Sequence, residues 1–253
     1  MSWPATLDEP EPDPDRMSYA NSRIPESAQQ GVHDHLDRCV ERHLDAPFRK
    51  PYTDYNRAAF SASLAAWDGR APLVLDAGCG VGHSTIALAR RFPDHFVIGI
   101  DQSADRLERR KPYPAALLPA NMVLVRADLV DYWRLCVDAG LRLARHYILY
   151  PNPWPKIGHL GRRWHAHPVF PYIPRLGGLL ECRSNWSIYA QEFARALHIA
   201  TGHQVACECF DAETPLTPFE RKYRDSGQLL YRVLLDLNAT ACASRADGAV
   251  SPN

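Results

Sequence analysis

Between residues 27 and 45 apolar side chains recur at every fourth position, Val32, Leu36, Val40 and Leu44, and predict an amphipathic helix. Phe60, Leu64 and Trp67 mark a second helix over 54–67, with Thr53 or Asp54 placed to cap it. Beyond residue 70 the rhythm changes to short apolar runs alternating with helical stripes. Strands are expected at 73–75, 96–100, 122–125 and 146–150, and helices at 84–92, from near Ser103, and over 129–137. A fifth strand, 178–182, follows a Gly-Gly turn and leads to a helix over 187–200, with Tyr189, Phe193, Leu197 and Ala200 in one stripe. Two last strands, near 204–210 and 229–237, are joined by a segment too short and irregular for a crossover helix, so they should pair antiparallel. The pattern predicts an α/β fold: a doubly wound, mostly parallel seven-stranded sheet closed by a C-terminal antiparallel hairpin.

Composition narrows the setting. At 253 residues, 46% hydrophobic and 23% charged, the chain can build one sizeable core and is not wholly disordered. Residues 1–17 are expected to form a disordered acidic tail, 18–70 a helical extension, 71–238 the main domain and 239–253 a second disordered tail. No apolar run approaches the roughly 18–20 residues that span a bilayer, and no secretory leader is visible, so a cytoplasmic chain without a membrane partner is expected. Seven cysteines without a Cys-x-x-Cys pair read as reduced thiols. His159, His165, His167 and Cys182 lack the spacing of a metal site, and no metal is expected. Formal net charge is zero, yet without residues 1–15 and 239–253 the rest of the chain holds 28 basic against 23 acidic residues, about +5. Such a body can bind RNA if the charge gathers on one face. Nothing in the pattern sets an oligomeric state.

In doubly wound sheets ligands bind beyond the carboxyl ends of the strands. The loop Asp76-Ala-Gly78-Cys-Gly80-Val-Gly82 lies at such an end and opens a helix. Its glycines permit a tight turn and close approach of backbone to ligand. The spacing is G-x-G-x-G, whereas a dinucleotide site uses G-x-G-x-x-G, which disfavours a nicotinamide oxidoreductase. Asp101, followed by Gln102, ends the second strand 25 residues after Asp76; it can accept ribose hydroxyls or cap the next helix. Asp128 ends the third strand and can accept from an adenine amino group or cap the helix at Leu129. This stretch resembles motif I of the S-adenosylmethionine-dependent methyltransferases, which implies a Rossmann-like class I fold with that cofactor.

Past the fourth strand the chain reads Tyr150-Pro-Asn152-Pro-Trp154-Pro-Lys156, then His159, Arg162, Arg163, Trp164, His165 and His167. Three prolines stiffen the segment. Trp154 either packs on the sheet or stacks on a base, and the basic run is either a solvated loop or a phosphate-tracking surface. Together with Thr217-Pro-Phe219-Glu220, the segment resembles the P-D-P-W-P-K and T-x-F-E motifs of the tRNA (guanine-N7)-methyltransferase family, in order over roughly residues 72–236. The resemblance implies methyl transfer from S-adenosylmethionine to guanine-46 of tRNA. It places Asp76, Gly78, Gly80, Gly82, Asp101, Gln102, Asp128 and Asn152 at the cofactor, and Asn152 and Glu220 at the chemistry. Lys156, Arg162, Arg163, Asn185, Thr217 and Glu220 then face the substrate.

Two positions depart from the family pattern: Asn152 and Asn185 stand where it has aspartates. Guanine N7 carries a free lone pair, so attack needs no general base; the task is positioning and support for the positive charge that forms. An amide can orient a base but lacks a carboxylate's field, which Glu220 is expected to supply by accepting from the guanine edge. The alternatives are a methyltransferase of the same fold acting on another RNA site or an exocyclic amine, and a homologue that binds cofactor or RNA without catalysis.

Overall fold

The computed structural model describes residues 23–108 and 118–238. The acidic tail expected at 1–17 and the polar tail at 239–253 lie outside the described residues. Two helices come first, α1 (Leu36–Asp45) and α2 (Asp54–Ala65). The alternating part follows as β1 (Leu73–Ala77), α3 (His83–Arg91), β2 (Phe96–Asp101), α4 (Ala104–Glu108), β3 (Met122–Arg126), α5 (Leu129–Asp138) and β4 (Leu143–Leu149). Short 3-10 turns and α6 (Tyr172–Arg175) lead to β5 (Leu179–Ser184), α7 (Ser187–Thr201), β6 (Cys207–Phe210), α8 (Pro218–Asp225) and β7 (Leu230–Asp236). Among the described residues no helix is long and apolar enough to cross a membrane, and the six cysteines are free.

The seven strands form one sheet in the order β3-β2-β1-β4-β5-β7-β6. β1 to β5 run parallel, and β7 pairs antiparallel with both β5 and β6. Strand order reverses between β1 and β4, where Ala77 lies opposite Ile148. The loops leaving these two neighbours therefore part around the crevice in which such folds bind ligands. Alternation along β1 splits its side chains between two cores. Leu73, Leu75 and Ala77 join Leu36, Val40 and Phe60 of the N-terminal helices and Trp133, Phe193 and Leu197 on one face. Val74 joins Leu88, Val97, Tyr147, Leu149 and Leu216 on the other.

Two expectations need adjustment, and the cap of the second helix is decided. The first helix starts at Leu36, not at residue 27: Gly31 takes a left-handed φ of 106°, and the His33 N–H turns to the Glu192 carboxylate instead of a helical carbonyl. The segment between the last strands carries α8, although β6 and β7 are antiparallel as expected. α2 is capped by Thr53, whose side chain accepts from Asn56 N, and is tied to α5 where Asn56 Nδ2 donates to Asp131 (2.7 Å).

Candidate active site

The glycine loop is held from beneath by β2. Gly78 N and Cys79 N both donate to the Ile100 carbonyl, at 2.8 and 2.9 Å, and Gly80 N donates to Asp101 Oδ2 at 3.0 Å. Gly78, Gly80 and Gly82 have φ of 84°, 60° and 83°, left-handed values that side chains resist. Their surroundings differ. A Cβ on Gly80 would meet nothing within 4 Å and one on Gly78 only Leu129 at 4.0 Å, whereas one on Gly82 would strike Leu124 at 2.7 Å. Gly82 serves packing at the start of α3, while Gly78 and Gly80 turn bare backbone toward open space. That wall, bounded by Asp101, fits a nucleoside-bearing cofactor.

The acidic residues have internal work as well. Asp76 is buried, and its Oδ2 accepts from Ser84 Oγ (2.6 Å) and Thr85 Oγ1 (2.7 Å), bracing α3; burial pushes its carboxyl up to about 6. Asp101 accepts from Ser103 N at 2.8 Å, so the capping contact forms alongside its bond to the glycine loop. Gln102 is exposed beside it. Asp128 caps α5 through Val130 N (2.9 Å), with Lys50 Nζ 3.6 Å from its carboxylate.

The loop after β4 is strained at two points. Tyr150 and Trp154 are, among the described residues, the non-glycine residues with positive φ, 50° and 47°, and they bracket Asn152. Such backbone costs of order 1 kcal/mol per residue and persists only where its surroundings impose it. The Trp154 carbonyl accepts from Arg163 Nε (3.3 Å) and Nη2 (3.2 Å). Arg163 in turn donates to Glu192 at 2.6 Å and to Gln29 Oε1 at 3.0 Å. Glu192 also binds His165 Nε2 (2.9 Å) and accepts from Gln29 Nε2 (2.6 Å) and His33 N (3.0 Å). Although burial pushes the Glu192 carboxyl up, its bonds and charges with His165 and Arg163 hold it at about 2. Arg163 is therefore not on the expected phosphate-facing surface: it is wholly buried and its fork is spent on the loop. Arg162 remains exposed, its guanidinium 4.8 Å over the half-buried Trp154 ring, and Lys156 is exposed. Asn152 is exposed too, its Oδ1 accepting from Trp154 N at 3.3 Å.

On the far side, Arg183 on β5 sits between two carboxylates, Glu181 at 2.6 Å and Glu220 at 2.8 Å. Glu220 Oε1 accepts from Tyr150 Oη at 2.7 Å and Oε2 from Leu216 N at 2.6 Å. Thr217 caps α8 by accepting from Glu220 N, at 2.9 Å. The expectation that Glu220 accepts directly from a guanine edge is corrected here, because the side chain is fully buried and both oxygens are engaged within the protein. Asn185 is buried with its amide donated to Gln228 Oε1, at 2.9 Å. The residues that sequence reading passed over are Glu181, Arg183 and Glu192. Glu181 and Arg183, two apart on a central strand, were the available signal: charges there need a buried partner.

The class follows from a family model described as "Putative methyltransferase", which matches residues 70–233. A solved structure titled "Structure of an Antibiotic Related Methyltransferase" shares the fold, with a TM-score of 0.50 at 16% identity over 74% of this chain and 96% of that one. The tRNA (guanine-N(7)-)-methyltransferase of Stutzerimonas stutzeri (strain A1501) is 30% identical over 168 residues, 60% of this chain and 67% of the relative. That of Pseudomonas fluorescens (strain SBW25) is 29% identical over 216 residues, 79% of this chain and 80% of the relative. The chain belongs to the tRNA (guanine-N7)-methyltransferase family, whose cofactor is S-adenosylmethionine.

Proposed function

We propose that this chain transfers a methyl group from S-adenosylmethionine to N7 of a guanine in tRNA, the variable-loop guanine-46, in the cytoplasm. The observation that carries this reading is the placement of two loops at one switch point: the open glycine wall after β1 and the strained, proline-bracketed loop after β4, which presents the Asn152 amide. When bound, S-adenosylmethionine supplies an electrophilic methyl on a sulfonium sulfur. Gly78 and Gly80 would admit it against bare backbone, with Asp101, Gln102 and Asp128 along its nucleoside and Asp76 bracing the loop from below. No residue need take a proton from N7, which has none. Asn152 orients the base through its amide.

The field for the cationic product has a source other than a direct contact. Glu181 and Glu220 share one guanidinium, leaving one carboxylate charge in excess beneath the Tyr150 end of the loop. In this reading Glu220 is a positioning and field residue. Lys156 and Arg162, exposed on the same loop, meet phosphates. Transcripts of one tRNA with guanine or adenine at position 46 test the target: transfer to the first alone is expected, and equal transfer to both would remove guanine-46 from the account.

A further inference from the structure

One side chain beside this site has no assigned task. Phe219 is 59% exposed on α8, a helix whose other residues after Pro218 are charged or tyrosine. The ring is not isolated. It stacks on Tyr223 one turn later, with centroids 6.2 Å apart and planes 26° apart. Tyr223 in turn meets Tyr150, centroids 5.4 Å apart. Tyr150 is the strained residue two before Asn152, and its hydroxyl is fixed on Glu220. A line of three rings thus runs from the substrate loop out to solvent and ends in an open aromatic face.

The segment entering the same helix packs on the cofactor side. Leu216, just before α8, shares a core with Leu88 of α3, the helix that follows the glycine loop, and Arg221 is exposed two positions beyond Phe219. Phe219 is joined to the Asn152 loop through Tyr223 and Tyr150, and Arg221 and Lys222 follow it on the same helix. Aromatic rings interleaved with cations are what a single-stranded nucleic acid uses: the face takes a base and the charges take its phosphates.

We propose that Phe219 is a stacking platform for the nucleobase next to the methylated guanine, with Arg221 on the adjoining phosphate. Taking one base out of the RNA stack exposes the face of its neighbour, and an exposed ring restores that contact. The inference rests on the tRNA reading above and adds to it a residue that touches the substrate.

The test uses the full chain and an unmodified tRNA transcript, with Kd for tRNA, KM, kcat and cofactor affinity measured for Phe219→Ala, Phe219→Leu and Phe219→Trp. Alanine and leucine are expected to raise Kd and KM for tRNA about tenfold, the size of one base–aromatic stack, while Phe219→Trp stays near the parent. Melting temperature and cofactor affinity should not move, because the ring is mostly exposed. Arg221→Gln should flatten the salt dependence of tRNA binding, which the Phe219 variants leave unchanged. If leucine serves as well as phenylalanine, the ring is only an apolar contact and the platform is overturned; an unchanged alanine variant overturns it too. A parent chain that binds no tRNA overturns both readings. One that binds tRNA without methylating it overturns the reaction alone, and the Kd of the leucine variant still decides the platform.

Discussion

Arg163 and Glu192, 29 residues apart, form a fully buried ion pair at 2.6 Å, and the same guanidinium holds the carbonyl of Trp154. A left-handed tryptophan in the substrate loop is thereby fixed from inside the protein. Removing one partner leaves the other charged and buried, a loss of about 3–5 kcal/mol. Glu192→Ala is expected to lower stability by that amount in denaturant titrations. A cost below about 1 kcal/mol would show that the pair does not hold the loop.

His146 accepts from the Trp133 indole N–H at 3.0 Å, and burial pushes its imidazole down to about 3. The unfolded chain takes up that proton first, so this group makes stability fall as pH drops below about 6.5. At about 1.4 kcal/mol per pH unit the loss between pH 7 and 5 is about 2 kcal/mol. Asp76, raised to about 6, acts in the opposite sense but is common to parent and variant. In His146→Gln, which keeps an acceptor for Trp133, the stability difference between pH 7 and pH 5 should shrink by about 2 kcal/mol; an unchanged difference would contradict the assignment.

The two glycines of the cofactor wall should respond differently. Gly80→Ala adds a methyl to open space, so its expected effect is a cofactor Kd raised about tenfold, with a strain cost of about 1–2 kcal/mol. Gly82→Ala drives a methyl into Leu124 and should lose more stability than Gly80→Ala. Calorimetric binding and thermal melts of both variants check this; if Gly80→Ala binds cofactor like the parent, the open face is not the cofactor's.

Glu220→Gln is expected to lower kcat by roughly 10²-fold, the scale of losing one preorganised electrostatic group, while cofactor affinity stays near the parent value. Unchanged turnover would remove the Glu181–Arg183–Glu220 cluster from the chemistry.

The parallel sheet was legible because apolar runs and helical stripes alternate with little ambiguity, and the glycine loop because its closely spaced glycines follow a strand and open a helix. Side-chain direction was the part that could not be read. Arg162 and Arg163 are neighbours in sequence, yet one lies on the Trp154 ring at the surface and the other is buried on Glu192. Only the tertiary position of α7 separates them. Glu220 misled for a related reason: its motif position borders the site, but Arg183, 37 residues earlier, draws the carboxylate inward. The helix predicted from residue 27 failed because Glu192, far along the chain, competes for the His33 N–H.

The central claim is best tested by incubating the purified chain with labelled S-adenosylmethionine and unmodified bulk tRNA, then digesting the product to nucleosides. The account predicts label in 7-methylguanosine. Label in an exocyclic-amine product instead, or none despite measured cofactor binding, would contradict it.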